Sequence, residues 1–363
     1  MPKRIAAIVL IATVIILVNW GIFYVFAPIQ PIATIQAHSE PIEAIHFSPD
    51  GDLITTVPNL TLRGANRWNY GGSTKTEAMW GVEGATTVKQ WHWQTATPVQ
   101  DFSDPLGLSN NLVFSPSLGI LASQTKIIHL WEVASGRLLA ELDDSDLQLV
   151  DFDHAQARLF TTTGSTVQQW NATTGDRQQT LTMDQGQVSL LAFSANGHIL
   201  AAGHHHFVQV WNLETAEILQ TLNISSPDEV RALALSPNGD RLAIDQGNRL
   251  VLMNVITGRS IASVSYSDWL PNLRRLWLDL SWTSGTLAFS PDGNRLALRV
   301  GSDIWLMRGS NGRVMRKIKL EPKTSGQGVP RTLTFSPDGR LLAMGDYGGS
   351  LHLWQLPQAL LLF

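Results

Sequence analysis

One tight turn is repeated along this chain, and the repetition constrains the fold more than any other feature. The turn closes an apolar strand and first reads Phe47-Ser48-Pro49-Asp50-Gly51. It returns as Phe114-Ser115-Pro116, Phe193-Ser194-Ala195-Asn196-Gly197 and Leu235-Ser236-Pro237-Asn238-Gly239, then as Phe289-Ser290-Pro291-Asp292-Gly293 and Phe335-Ser336-Pro337-Asp338-Gly339. A degenerate copy stands at Phe152-Asp153-His154. Proline pre-sets φ at the second turn position, and Asp or Asn followed by Gly accepts the conformations that reverse a chain. A second signal alternates with the first: a strand ending in tryptophan, followed by a short turn containing glycine. Ile128-His129-Leu130-Trp131 before Gly136 and Val208-Gln209-Val210-Trp211 are examples, and Met253 and Met307 occupy the same slot before Gly258 and Gly312. The slots fall at 91, 131, 170, 211, 253, 307 and 354, seven positions spaced 39 to 54 residues apart.

A repeat near forty residues containing four short strands is the pattern of a β-propeller. Segments such as Arg241-Leu242-Ala243-Ile244 and Leu341-Leu342-Ala343-Met344 are too short between turns to be helices, which excludes helical repeats of similar length. The expected fold is therefore all-β, with seven blades. From residue 32 to 356 the chain resembles the WD-repeat family, in which each sequence repeat begins with the outer strand of one blade and continues through the inner three strands of the next. Pro31-Ile32-Ala33-Thr34-Ile35-Gln36-Ala37-His38 looks like a lone outer strand, with Ala-His where the family has Gly-His, and the last copy stops just after Trp354. The resemblance implies that this N-terminal strand completes blade seven and closes the ring, leaving no open sheet edge. It also implies a buried Asp–His–Ser/Thr–Trp network. That network departs from the family here, since the place of the acid holds Gly164, His205, Gly247 or Gly348.

Before the repeats, Met1-Pro2-Lys3-Arg4 leads into an uncharged run from Ile5 to Ala27. As a helix, that run spans roughly 34 Å, enough for the hydrocarbon core of a bilayer. A cleaved signal peptide is the alternative, but its apolar region is usually about 7–15 residues, and Pro28 is a poor residue after a cleavage site. Lys3 and Arg4 precede the run and the next Lys or Arg is Arg63, so the positive-inside rule puts the N-terminus in the cytoplasm and the propeller outside it. The expected organisation is an anchor over 1–27, a linker over 28–31, the propeller over 32–356 and an apolar tail over 357–363. The tail should leave from the membrane-facing end, to lie in the interface or to cover the propeller base.

Three insertions break the repeat. About Val57 to Gly84 separates the second and third strands of blade one, and carries Arg67, Trp68, Tyr70 and Trp80. Ser267 to Trp282 separates blades five and six and carries Trp269, Leu273, Trp277 and Trp282, with Trp269, Leu273, Leu276 and Leu280 at helical spacing. Glu321 to Val329 precedes the last blade. Both loop classes emerge on one face of a propeller, so one decorated face and one trimmed face are expected. Loops rich in Trp, Tyr and Arg have the composition of interface hot spots, so these eight residues are the candidate partner-binding set. The competing view is that the tryptophans only plug the insertions against the blade tops.

The sequence carries no P-loop, Rossmann glycine fingerprint, nucleophile elbow or HExxH. Its net charge of −4 offers no basic footprint for nucleic acid, and the absence of cysteine removes disulfides, thiolate metal sites and cysteine nucleophiles. His204-His205-His206 suggests a metal, but consecutive strand residues point to opposite sides, so at most His204 and His206 could share an ion, and no third ligand is visible at useful spacing. A turn explains the run equally well. The expectation is a non-catalytic scaffold that binds other proteins, with no cofactor, no metal and no catalytic residues. The alternatives are an extracytoplasmic enzyme or ligand binder using the central funnel, hinted at by Glu43, Asp228, Glu229 and Arg231, and a purely structural ring.

Overall fold

The repeated turns and tryptophan slots fold into seven four-stranded antiparallel sheets, each a blade of one ring. The computed structural model describes residues 30–58, 87–103, 111–144, 146–153, 156–224, 229–266, 287–301, 303–320 and 330–357. The inner strands are Ile42–Phe47, Asn111–Ser115, Gln148–Asp153, Leu190–Phe193, Ala232–Leu235, Leu287–Phe289 and Pro330–Phe335 for blades one to seven. In six blades the four strands are consecutive in sequence. Blade seven takes its outer strand from the other end of the described chain. Ala33–Gln36 pairs antiparallel with Ser350–Gln355, placing Ala33 opposite Leu353 and Gln36 opposite Ser350. The inner strands of blades seven and one then pack against each other, as the sequence predicts for a closed ring.

Burial explains why the second strands read as unbroken apolar runs. Leu341–Asp346 is buried along its whole length, because blades pack face to face and cover both sides of each middle strand. Outer strands such as Arg137–Leu142 lie at the rim, where Arg137, Leu138 and Glu141 stay open to solvent. Every tryptophan slot lies in a third strand, and in blades one to six the outer strand is bulged at that slot: Leu130 faces Ala140 while Trp131 faces Leu138. The bulge follows from the turn between those strands, where the Gly136 amide donates to Glu132 O at 2.8 Å with Gly136 at φ 68°.

The slot tryptophans sit between neighbouring blades. Trp211 and Trp354 are essentially sealed, and burying roughly 200 Å² of such a ring is worth about 5 kcal/mol before entropy is counted. The indole N–H also needs an acceptor. Trp131 donates to Ser123 at 2.9 Å, Trp170 to Thr161 at 2.8 Å, and Trp91 to Thr56 at 3.2 Å. In each case the hydroxyl is two residues beyond the second-strand partner of the tryptophan. Blades four and seven hold Ala202 and Met344 at that position, and Trp354 Nε1 is buried without an acceptor among the described residues. The implied polar network therefore persists as a hydroxyl–indole pair in three blades. In blade one it includes His38, whose Nε2 lies 2.8 Å from Thr56 Oγ1. Thr161→Val is expected to lower stability by about 1–3 kcal/mol, the cost of leaving the Trp170 N–H unpaired. A urea midpoint unchanged within error would show that this hydroxyl is not the acceptor that counts.

A second device joins blades and was not read from the sequence. An arginine opening the second strand of one blade donates to the turn glycine carbonyl of the next. Arg241 Nη1 reaches Gly293 O at 3.1 Å, Arg295 Nη1 reaches Gly339 O at 3.1 Å, and Arg158 Nη2 bonds Gly197 O. Each arginine precedes a leucine (158–159, 241–242, 295–296), a recurring pair that was available as a signal.

The proposed anchor, residues 5–27, lies outside the described residues. Among the described residues, no helix is long and apolar enough to cross a membrane.

Candidate functional site

Hydrogen bonds between loops establish which ends of the strands share a face. The loop from an outer strand to the next inner strand is tied to the turn between second and third strands of the same blade. Val188 N donates to Gly164 O at 2.8 Å in blade three, Val230 N to His205 O at 2.6 Å in blade four, and His38 N to Gly349 O at 3.0 Å in blade seven. The other face is built from the repeated turns, with Val133 N bonded to Gly119 O and Leu213 N to His198 O. The expected division into two loop classes on opposite faces is therefore present.

All three insertions start and finish on the first of these faces. Residues 59–86 join Leu53–Pro58 to Thr87–His92 in blade one. Residues 267–286 join Ser260–Ser265 of blade five to the inner strand of blade six, and 321–329 lead from blade six into Pro330–Phe335. Because the closing strand sets blade seven beside blade one, these three loops flank four consecutive blades: five, six, seven and one. Blades two and three have no comparable loop. The eight sequence-selected residues (Arg67, Trp68, Tyr70, Trp80, Trp269, Leu273, Trp277 and Trp282) lie outside the described residues.

On the same face of blades five, six, seven and one runs a series of charged and aromatic side chains that sequence reasoning found only in part. Asp245, at the end of Arg241–Asp245 in blade five, accepts from Tyr266 Oη at 2.8 Å and from Gly247 N at 2.8 Å. Burial raises the Asp245 pKa and pushes Tyr266 well above its ordinary value. Arg299, at the end of the second strand of blade six, donates from Nε to Gly301 O at 3.0 Å and from Nη1 to Pro330 O of blade seven at 2.8 Å. Arg331 of blade seven donates from Nε to Glu43 Oε2 of blade one at 2.8 Å, and from Nη2 to the same oxygen. Glu43 and Arg231 were visible in the sequence as charges near strand starts; Asp228 lies outside the described residues. Asp245, Tyr266, Arg299 and Arg331 were missed, because they come from segments distant in sequence that meet only in the folded blades and between them.

The histidine run forms the turn between second and third strands of blade four. His205 takes φ 36°, and its ring meets His204 edge-on at 4.2 Å. Burial lowers the His204 pKa, and the nearby His205 and His206 charges lower it further. Among the described residues no group of three or more His, Asp or Glu is placed to hold a metal ion. His129 and His352 stack on Trp131 and Trp354, with ring centroids at 5.8 and 5.9 Å, so both serve as packing partners of slot tryptophans.

At the opposite face, Leu356 N donates to Arg340 O at 2.8 Å and Arg295 Nη2 reaches Pro357 O at 3.3 Å, so the start of the tail is seated on the trimmed face. Residues 358–363 lie outside the described residues.

Comparison with known proteins agrees with this architecture. The family model described as WD domain, G-beta repeat matches residues 29–57 and 319–355, the two stretches that meet where the ring closes. A segment of 176 residues is 27% identical to Periodic tryptophan protein 2 homolog of Schizosaccharomyces pombe, covering 45% of this chain and 20% of that protein. The chain thus spans only a fifth of the relative's length. Seven four-stranded blades, tryptophan slots in the third strands, closure by an N-terminal outer strand and these matches together support a WD-repeat β-propeller.

Proposed function

We propose that this chain is a non-catalytic protein–protein interaction scaffold, held at a membrane by residues 5–27, with a cytoplasmic N-terminus and the propeller on the far side. It presents its inserted loops to partner proteins, possessing no cofactor of its own. The observation that supports this reading is that the strand ends flanking all three insertions lie on one face and on four consecutive blades. Shared strands are occupied in packing, so loop additions are where a propeller acquires function. The uncharged length of 5–27 and the basic residues before it support the anchor. The propeller fold and its matches to the WD domain, G-beta repeat model support the scaffold role.

Within the loops, Arg67, Trp68, Tyr70, Trp80, Trp269, Leu273, Trp277 and Trp282 are the proposed contacts. Aromatic hot spots are each worth about 2 kcal/mol or more when truncated, roughly thirtyfold in affinity. Cross-linking of the tagged full chain in its native membrane, followed by mass spectrometry, tests the proposal. A specific partner set should be captured by the parent chain and lost when Trp68, Trp80, Trp269 and Trp277 are changed to alanine. Retention of the same set in that variant would count against this face.

A further inference from the structure

Six large apolar side chains stay exposed among the described residues, and all six stand at one edge of the ring. They are Ile32, Val99, Leu138, Ile218, Ile256 and Ile261. Each outer strand begins at the trimmed face, because it follows the turn that closes a third strand there. Leu138 and Ile218 fall within the first two residues of Arg137–Leu142 and Ile218–Asn223. Val99 and Ile261 are the extra residues of the outer-strand bulges in blades one and five, between Pro98 and Gln100 and between Ser260 and Ala262. Ile32 precedes Ala33–Gln36, and Ile256 stands in the turn before Ser260–Ser265. Towards the other end of the outer strands, Ile35, Phe102, Leu142, Leu181 and Ile318 are all buried.

Single exposed aliphatic residues are ordinary on a protein surface, but their confinement to one edge is not. The repeat does not require it. Three residues beyond the tryptophan slot, other blades hold Gln94, Ala134, Thr173, Glu214 and Ser310, where blade five has Ile256 at 76% exposure. Gln220 Nε2 donates to Ile256 O at 3.1 Å, which sets that turn beside the outer strand that begins with Ile218. Ile218, Ile256 and Ile261 thus gather where blades four and five adjoin.

The same edge receives the chain from its N-terminal side. Ile32 N donates to Leu353 O at 2.7 Å, and the uncharged run ends at Ala27, five residues earlier. A tether entering at blade seven constrains one point of the ring and leaves it free to tilt. Blade four lies across the ring from blade seven, so apolar residues there supply a second point of support. Asp50, Asp292 and Asp338 stand exposed on the turns of this face, which holds any lipid contact at the depth of the headgroups.

We propose that the trimmed edge of the ring rests on a lipid bilayer, with Ile218, Ile256 and Ile261 inserted on one side and Ile32, Val99 and Leu138 on the other. Aliphatic side chains leave water when they enter the boundary between headgroups and acyl chains, about 5–10 Å deep. The inference rests on the anchor reading and adds an orientation. Blade seven supplies the tether, blades four and five steady the far side, and the decorated face is held away from the membrane towards partners.

The chain has no cysteine, so a single introduced one can be labelled uniquely. Full chains carrying Ile218→Cys or Ile256→Cys, each labelled with nitrobenzoxadiazole, are reconstituted in phosphatidylcholine vesicles. The control is Lys126→Cys, in the turn between the second and third strands of blade two, on the decorated face. A nitroxide placed on the lipid near the headgroup should quench the labels on blades four and five by about half or more, and leave the label on blade two unchanged. Ile261→Cys replaces either variant whose thermal midpoint falls below the parent's. Quenching no greater than in the control would overturn the proposal. So would a blue shift without quenching, the sign that a second copy or another protein covers this edge. An alkaline carbonate wash reports on the anchor separately. A chain that stays with the vesicles unquenched refutes the seating alone. A chain that washes off refutes the anchor and the seating together.

Discussion

Gly349→Ala is expected to destabilise the protein by about 3 kcal/mol or more. Gly349 lies in the turn between the last two strands, at φ 78°. An L-residue there costs about 1–2 kcal/mol in backbone energy alone. A Cβ would also stand 2.1 Å from His38 O and 2.7 Å from Glu40 O, against backbone that has no flexible end to yield. Relief requires the closing segment to move. The Gly349 carbonyl accepts from both Ala37 N and His38 N at 3.0 Å, and each lost bond costs about 1 kcal/mol. Movement would also loosen Ile35 and Ala37, which are buried in the cluster joining blades seven and one. Equilibrium urea unfolding measures the loss. Hydrogen exchange should show the amides of Ala33–Gln36 exposed well below the global unfolding energy. A midpoint within about 0.5 kcal/mol of the parent would mean that closure does not depend on this contact.

Acid should act on the same seam through a different group. His38 is 6% exposed, its Nε2 directed at Thr56 Oγ1 and Thr56 O at 2.8 and 3.2 Å. Burial, with the Lys89 charge second, lowers its pKa from 6.5 to about 4. Between those values the unfolded chain binds a proton that the folded chain excludes. Unfolding free energy therefore rises with pH across this window and is lost as pH falls from about 6.5 towards 4, by up to about 3 kcal/mol for this ring alone. His38→Gln preserves a side-chain amide towards Thr56 but cannot titrate. The stability difference between parent and variant, measured by urea unfolding at pH 7 and pH 4, should shift by about 2–3 kcal/mol in favour of glutamine on acidification. Carboxylates titrate in both proteins and cancel from the difference. Parallel pH profiles would show that His38 is protonated in the folded ring without penalty.

Both effects fall on the N-terminal strand because closure is the one blade assembled from distant parts of the chain. Six blades form from consecutive strands joined by short turns, but blade seven must bring Ala33–Gln36 to Ser350–Gln355. The join is reinforced by polar contacts: Gln36 Nε2 donates to Gly348 O and to His38 O at 2.7 Å, and Ser350 Oγ donates to Gln36 Oε1 at 2.9 Å. In the sequence, Gln36 and Ser350 are ordinary polar residues. Nothing local marks them as partners separated by most of the chain.

Blade number, strand order and the location of the core were legible in the sequence because they follow from local chemistry. A Ser-Pro-Asp-Gly turn reverses the chain wherever it occurs, and an apolar strand ending in tryptophan needs cover on both sides wherever it occurs. The division of loops between two faces was likewise legible, because strand alternation determines it. The candidate loop residues could be chosen from composition and length alone, and they remain a proposal of the sequence.

The tertiary structure decided which chemistry-bearing residues meet. Arg299 and Arg331 belong to strands of blades six and seven, Tyr347 to a turn of blade seven, and Glu43 joins Arg331 from the far end of the chain. Only the angular order of the blades brings them to one seam. The same holds for the insertions, which are scattered from residue 59 to 329 in sequence but flank four consecutive blades once blade seven closes against blade one. Turns and strand burial are determined within a repeat, over a few residues. Neighbourhood across the seam is determined by ring closure, a global constraint that no stretch of sequence shorter than the whole propeller contains.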